Sequence, residues 1–307
     1  MTTDSAAGPA HSLGDYLDRR REGVEAALHR AVDDLALVLP DPWLQPARAG
    51  VLSGGKRLRP CLLIAASEAF GLDPSDSLYD LAASVELIHA YSLMHDDLPC
   101  MDDAPLRRGR PTPHTEFGVE ATAVAAAALI PWAASRAALS CHALGVSPDR
   151  RATVVGRLLD AAGAAGMVGG QALDLMGEGR ALGREELSRL HRLKTGALLT
   201  APVVMGAMVA GASREQWEAV GEYGINLGLA FQVMDDVLDA TASAEVLGKR
   251  PSDADLEKST YVLLLGVEGA RRSAEALVRR ADAALDRTGV EGVRLRQLSR
   301  FVLERTN

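Results

Sequence analysis

Two acidic clusters carry the clearest chemistry in this chain. The first runs His95-Asp96-Asp97-Leu98-Pro99-Cys100-Met101-Asp102-Asp103, and the second runs Phe231-Gln232-Val233-Met234-Asp235-Asp236-Val237-Leu238-Asp239. Both follow strongly apolar, helix-forming sequence. Asp235 and Asp239 stand four apart, so their carboxylates project from one helical face. Carboxylates this close repel each other by roughly 4 kcal/mol at 4 Å and intermediate dielectric. A lone Asp-Asp pair is usually a solvated helix end. Two such clusters, each set in apolar sequence, point instead to a bound cation. Oxygen ligands without neighbouring Cys or His pairs select a hard ion such as Mg²⁺, which bridges one or two carboxylates to substrate phosphates. Pro99 breaks the first helix after Leu98, so Asp102 must reach the site through a bend.

A metal held this way balances only part of a diphosphate, and the rest of the charge needs donors. Gly54-Gly55-Lys56-Arg57-Leu58-Arg59-Pro60 offers two glycines for close backbone approach, then Lys56 and Arg59. Arg107 and Arg108 follow the first acidic cluster. Lys194-Thr195 sits beside Gly196 and reads as a segment between helices. Lys249 follows Gly248, and Lys258 precedes Ser259-Thr260-Tyr261. Lysine is scarce: of 33 basic residues only Lys56, Lys194, Lys249 and Lys258 are lysines. All four fall in these segments, where a compact ammonium suits a crowded phosphate better than a planar fork.

These segments resemble the trans-isoprenyl diphosphate synthases, the polyprenyl synthetase family, and most of all its short-chain bacterial farnesyl and geranylgeranyl types. The resemblance rests on GGKRLRP at 54–60, IHAYSLMHDDLPCMDD at 88–103, LRRGRPT at 106–112, GGQALDL at 169–175, LKTGAL at 193–198, GLAFQVMDDVLD at 228–239, and LGKR with KSTY at 247–261. It implies an all-α, single-domain isoprenoid-synthase-type bundle around a deep central cavity, with residues 1–12 a flexible N-terminus and 13–307 the helical domain. It implies three Mg²⁺ ions. Asp96, Asp102 and Asp235 are then the metal ligands, supported by Asp97, Asp236 and Asp239 directly or through water. Arg107, Lys194, Lys249 and Lys258 hold an allylic diphosphate in a pocket lined by Thr195 and Gln232. Gly55, Lys56, Arg59, His89 and Arg108 hold isopentenyl diphosphate. Gln171 and Asp174 face the cavity.

The implied reaction is Mg-assisted ionisation of the allylic diphosphate, head-to-tail attack by isopentenyl diphosphate, and loss of a proton. Tyr91 and Ser92 lie five and four residues before Asp96, about 6–7.5 Å along a helix. In the family a bulky aromatic at the fifth position generally stops the product at fifteen carbons, so Tyr91 implies farnesyl diphosphate, with geranylgeranyl diphosphate as the alternative. Two departures bear on affinity and product: Ala104-Pro105 after the first cluster, and the run Ala125–Ala128 where relatives carry Gly-Asp. A class I terpene cyclase shares an aspartate-rich site but expects an Asn/Ser/Glu second motif. A non-catalytic subunit of a heteromeric synthase tends to lose one acidic motif.

The elements that position these groups read as helical throughout. Helices are expected over 13–39, 60–70, 78–95, 118–144, 150–176, 185–211, 214–239 and 268–286, roughly ten in all, with no persistent strand alternation. Apolar residues make up 48% and charged residues 24%, the mix of a packed soluble protein. The net charge of −8 argues against nucleic-acid binding. Cys61, Cys100 and Cys141 fit no zinc spacing and read as reduced thiols. No signal peptide is visible, and the Ala/Gly-rich run 196–212 reads as an interior helix rather than a span. Reduced thiols make the cytoplasm the expected location, and the family suggests a homodimer.

Overall fold

The computed structural model describes residues 12–247 and 259–305. Among them the helices are α1 (Leu13–Leu35), α2 (Leu44–Val51), α3 (Leu58–Ala69), α4 (Asp76–Asp96), α5 (Pro113–Phe117), α6 (Val119–Ala143) and α7 (Pro148–Ala162). They continue with α8 (Met167–Gly177), α9 (Arg184–His191), α10 (Ala197–Val209), α11 (Arg214–Leu247), α12 (Tyr261–Asp286) and α13 (Val293–Glu304). The strands described are β1 (Leu106–Arg107) and β2 (Arg110–Pro111), an antiparallel hairpin pairing Leu106 with Pro111. The all-α expectation holds.

Most of the expected N-terminal tail lies outside the described residues. Its last member, Ser12, belongs to the fold. The Ser12 hydroxyl accepts from the Asp15 backbone N–H at 3.2 Å while the Asp15 carboxylate accepts from the Ser12 N–H, a capping box that starts α1. Ser75 caps α4 more simply, its hydroxyl accepting from the Leu78 backbone N–H at 3.3 Å. Helices α3, α4 and α10 are apolar on nearly all sides, and so they form the interior. Leu62, Leu63, Leu81, Ile88, Met205 and Ala207 are fully or almost fully buried.

Several expected boundaries move. The first helix ends at Leu35, four residues early, and the chain turns through 36–39. The stretch 150–176 is two helices, because the chain folds back at Gly163–Gly166. A Cβ on Gly166 would lie 2.2 Å from the Ala161 carbonyl oxygen. The helix expected from 268 begins at Tyr261, but Gly266 interrupts it with φ 69°. Helices α2 and α13 were not expected at all.

The run 196–212 is buried in α10, as expected. Among the described residues, by length and composition alone, α6 is the one helix long and apolar enough to cross a bilayer, with 39% of its most apolar stretch buried. It packs on α4 and α7, and its outward stripe carries Val124 and Leu139.

Candidate active site

A cavity of about 1160 Å³ opens between α1, α3, α4, α8, α11 and α13. Its walls bring together most of the residues singled out from sequence: Gly55, Lys56, Arg59, His89, Tyr91, Ser92, Asp96, Arg108, Gln171, Lys194, Thr195, Gln232 and Asp235. Lys249 and Lys258 lie outside the described residues.

Asp96 is the last residue of α4, and Asp97 is its C-cap. Carboxylates at a helix C-terminus face the negative end of the helix dipole, the wrong end for an anion. Burial raises the Asp96 pKa above the usual carboxylate range, and Asp102 pushes the same way against Lys194. The bend that Pro99 requires brings Asp102 beside Asp96, its backbone N–H donating to the Asp96 carbonyl at 2.9 Å, but Asp102 is exposed and does not line the cavity. On α11, burial raises Asp235, and lifts Asp236 to about 6. Asp239, one turn on, adds to both shifts and is itself exposed. The acidic groups are therefore held in a state that a cation would relieve.

Four other residues expected at the site stand off the cavity wall. Asp97 does not line the cavity. It is buried and accepts a forked pair from Arg107, Nε at 2.9 Å and Nη2 at 2.6 Å. Arg107 is accordingly engaged with Asp97 and is also absent from the cavity wall. Asp174 does not face the cavity either; it accepts from Lys194 Nζ at 2.5 Å. Asp236 likewise turns away, taking the Tyr261 backbone N–H at 2.7 Å. That bond joins the start of α12, where the KSTY segment ends, to the second acidic cluster.

Lys194 and Thr195 do not sit between helices. They occupy a π-helical turn, Arg192–Gly196, that joins α9 to α10 without a break. Such a turn inserts a residue into a helix and re-aims side chains, a device frequent at functional sites. Gly170 makes room for it. A Cβ there would lie 2.1 Å from the Lys194 backbone nitrogen, so only glycine lets α8 approach this closely.

Cations line the same cavity. Burial lowers the Arg59 pKa, and the nearby Arg108 adds to that. Arg59 Nε is buried with no hydrogen-bond partner among the described residues. Burial also drives His89 well below its ordinary value, helped by Arg59 and Arg108, so it stands as a neutral imidazole. Ser92 Oγ donates to the His89 carbonyl at 2.8 Å. The Arg108 guanidinium donates to the Gly54 carbonyl, lying where a Gly55 side chain would be.

Sequence reasoning missed what holds this segment. Arg57 adopts a left-handed backbone (φ 49°) and turns inward. It donates to Glu25 at 2.7 Å, to Glu86 at 2.9 Å and to the Val51 carbonyl at 3.2 Å. Arg57 thus anchors the loop while its neighbours Lys56 and Arg59 face the cavity. Arg305, Phe231 and Phe301 also line the cavity and were not anticipated.

A helical bundle whose cavity gathers carboxylates and crowded cations suits a metal-assisted reaction of diphosphates. The comparisons agree. The polyprenyl synthetase family model matches residues 41–288. A farnesyl diphosphate synthase of Escherichia coli is 43% identical over 269 residues, covering 86% of this chain and 89% of that protein. The chloroplastic geranylgeranyl pyrophosphate synthase of Catharanthus roseus is also 43% identical, over 86% of this chain and 74% of its own. Among solved structures, an FPP/GFPP synthase from Zymomonas mobilis superposes with a TM-score of 0.82 at 34% identity, over 94% of this chain and 99% of that one. The chain belongs to the polyprenyl synthetase family.

Proposed function

We propose that this chain is a short-chain trans-prenyltransferase that joins isopentenyl diphosphate head to tail to an allylic diphosphate and stops at farnesyl diphosphate. The observation that carries the reading is one cavity that gathers Asp96 and Asp235 with Arg59, Arg108, Lys56 and Lys194.

The donor set suits a divalent hard cation. Among the described residues no three His, Cys, Asp or Glu side chains converge into a ready-made metal cage. Each acidic cluster offers a pair, and Mg²⁺ typically takes one or two carboxylates and completes its shell with phosphate oxygens and water. Asp96 with Asp102, and Asp235 with Asp239, would hold it, three ions in all. The bound metal supplies positive charge against the diphosphate that departs. Lys194 and Thr195, fixed on the π-turn, orient the allylic diphosphate, with Gln232 beside them and Lys249 and Lys258 closing the pocket. Arg59, Arg108, Lys56 and the neutral His89 orient isopentenyl diphosphate, leaving its double bond aimed at the allylic carbon. The allylic C–O bond breaks with its electron pair on the diphosphate, the double bond forms the new C–C bond to the allylic carbon, and the carbon beside the resulting cation gives its proton to the departed diphosphate. The apolar wall of Leu175, Leu198 and Phe231 keeps water from the cationic carbon. Tyr91 limits the tail. A homodimer fits the exposed stripe of α6, where Val124 and Leu139 stand in water, and mass determination in solution tests it.

The deciding experiment is product analysis with Mg²⁺, isopentenyl diphosphate and dimethylallyl or geranyl diphosphate. Farnesyl diphosphate is expected. A hydrocarbon from farnesyl diphosphate alone would make the protein a cyclase, and inactivity relieved by a second protein would make it a subunit.

A further inference from the structure

The second acidic cluster already has a cation on it. Arg305, just past the end of α13, reaches into the cavity with its side chain only 6% exposed. Its Nη2 donates to Asp235 Oδ1 at 2.7 Å and to the Phe231 carbonyl at 2.6 Å. The guanidinium carbon stacks 3.8 Å over the Phe231 ring. Its Nε is buried without a hydrogen-bond partner among the described residues. This is an incomplete arrangement for an arginine. One face is satisfied by stacking and two acceptors, while one donor is stranded, so the guanidinium is held by the carboxylate rather than by a full set of bonds.

We infer that Arg305 is a resident counter-ion of the second acidic cluster. It occupies the oxygen of Asp235 that a metal would take, and it yields that oxygen when a metal arrives together with a diphosphate. The inference rests on the reading of Asp235 as a metal ligand. Its physical basis is competition: a guanidinium and a divalent cation cannot both take Oδ1 in good geometry. The carboxylate, partly withdrawn from water and held 2.7 Å from the guanidinium nitrogen, needs one of them. A free divalent ion must displace a stacked, charge-assisted hydrogen bond. An ion accompanied by diphosphate offers the displaced guanidinium a new anion in the same cavity.

The test is Mn²⁺ titration of the full-length, ligand-free protein, followed by electron paramagnetic resonance of the free ion. Arg305→Gln should tighten the Mn²⁺ binding that depends on Asp235 by on the order of tenfold, the weight of one charge-assisted hydrogen bond. Arg305→Lys should stay near wild type. Phe231→Leu, which removes the stacking surface but no charge, should tighten binding by a smaller factor and guards against misfolding of the arginine variant. Asp235→Asn should abolish the difference, so that Asp235→Asn with Arg305→Gln matches Asp235→Asn alone. Inorganic pyrophosphate should bring wild type and Arg305→Gln together. If Asp235→Asn weakens Mn²⁺ binding but Arg305→Gln and Phe231→Leu leave it unchanged or weaker, the counter-ion is wrong and the metal assignment stands. If Asp235→Asn has no effect on Mn²⁺ binding, the metal assignment is wrong and the counter-ion goes with it.

Discussion

Replacing Tyr91 by alanine should let the product grow past fifteen carbons. Tyr91 lies five residues before Asp96 on α4, about 7.5 Å along the helix axis. It lines the cavity half-buried, its ring 5.6 Å from that of His95. One turn further down, Leu87 and Ile88 are buried and no longer border the cavity. A tail advancing along α4 therefore meets the phenol ring before it can reach them. One more isoprene unit adds five carbons, and burying each stabilises by about 0.8 kcal/mol, or about 4 kcal/mol in a dry pocket. That corresponds to roughly 10³-fold in kcat/KM, an upper limit because the new space fills imperfectly. Folding stability should fall by less than the ~3–5 kcal/mol typical of a fully buried aromatic, since one side of the ring already faces open space. The assay gives farnesyl diphosphate as the allylic starter with isopentenyl diphosphate and reads products by mass spectrometry. Tyr91→Ala should accept it tens to a thousandfold better than wild type, and Tyr91→Phe should not, because the ring and not the hydroxyl closes the path. A wild type that already makes twenty-carbon chains, or a Tyr91→Ala variant that still stops at fifteen, refutes the reasoning.

Other consequences can be checked separately. Arg57→Leu strips Glu86, itself buried, and Glu25 of their shared cation, and should destabilise the fold by about 3–5 kcal/mol in a denaturant titration. Asp96→Ala or Asp235→Ala should lower turnover by about 10²–10³ with an unchanged circular dichroism spectrum. Near-normal turnover in either variant would remove the metal ligands proposed here. Burial depresses the His191 pKa to about 4, so this residue is neutral when folded and takes up a proton more readily when unfolded. Its contribution is fully present above about pH 6.5 and is lost as pH falls towards 4. His191→Leu should flatten the acid side of a plot of Tm against pH, and an unchanged slope would count against it.

What the sequence disclosed depended on the range of the interactions involved. Helices α4 and α11 were readable because their apolar residues are locally continuous and their acidic clusters follow at once. Helix α2 was hidden because Pro46 reads as a breaker, although a proline in the first turn is tolerated. The hairpin is two residues per strand, too short for any periodicity. Gly196 suggested a gap after Lys194, but the glycine packs beside Gly228 of α11 and the helix runs through it. The membership of the cavity was largely visible, Asp96, Asp235, Lys56, Arg59, Arg108 and Lys194 from residue types and spacing, and His89, Tyr91, Gln171, Thr195 and Gln232 from the family resemblance. The pairing inside the site was not. Arg107 with Asp97, Lys194 with Asp174 and Arg305 with Asp235 each choose among many carboxylates, and only the packing of distant helices decides. Arg305 carried no signal at all, being one arginine in a chain that writes nearly all its positive charge that way.

The Arg305–Asp235 pair ties the two ligands to each other. On the reading proposed above, binding there is an exchange of partners: the Asp235 carboxylate would pass from arginine to metal while the released guanidinium passes to diphosphate. Metal without diphosphate would strand the guanidinium, and diphosphate without metal would leave it on the carboxylate. The pair would then act as a coincidence detector, responding at this corner of the cavity to the joint presence of both ligands.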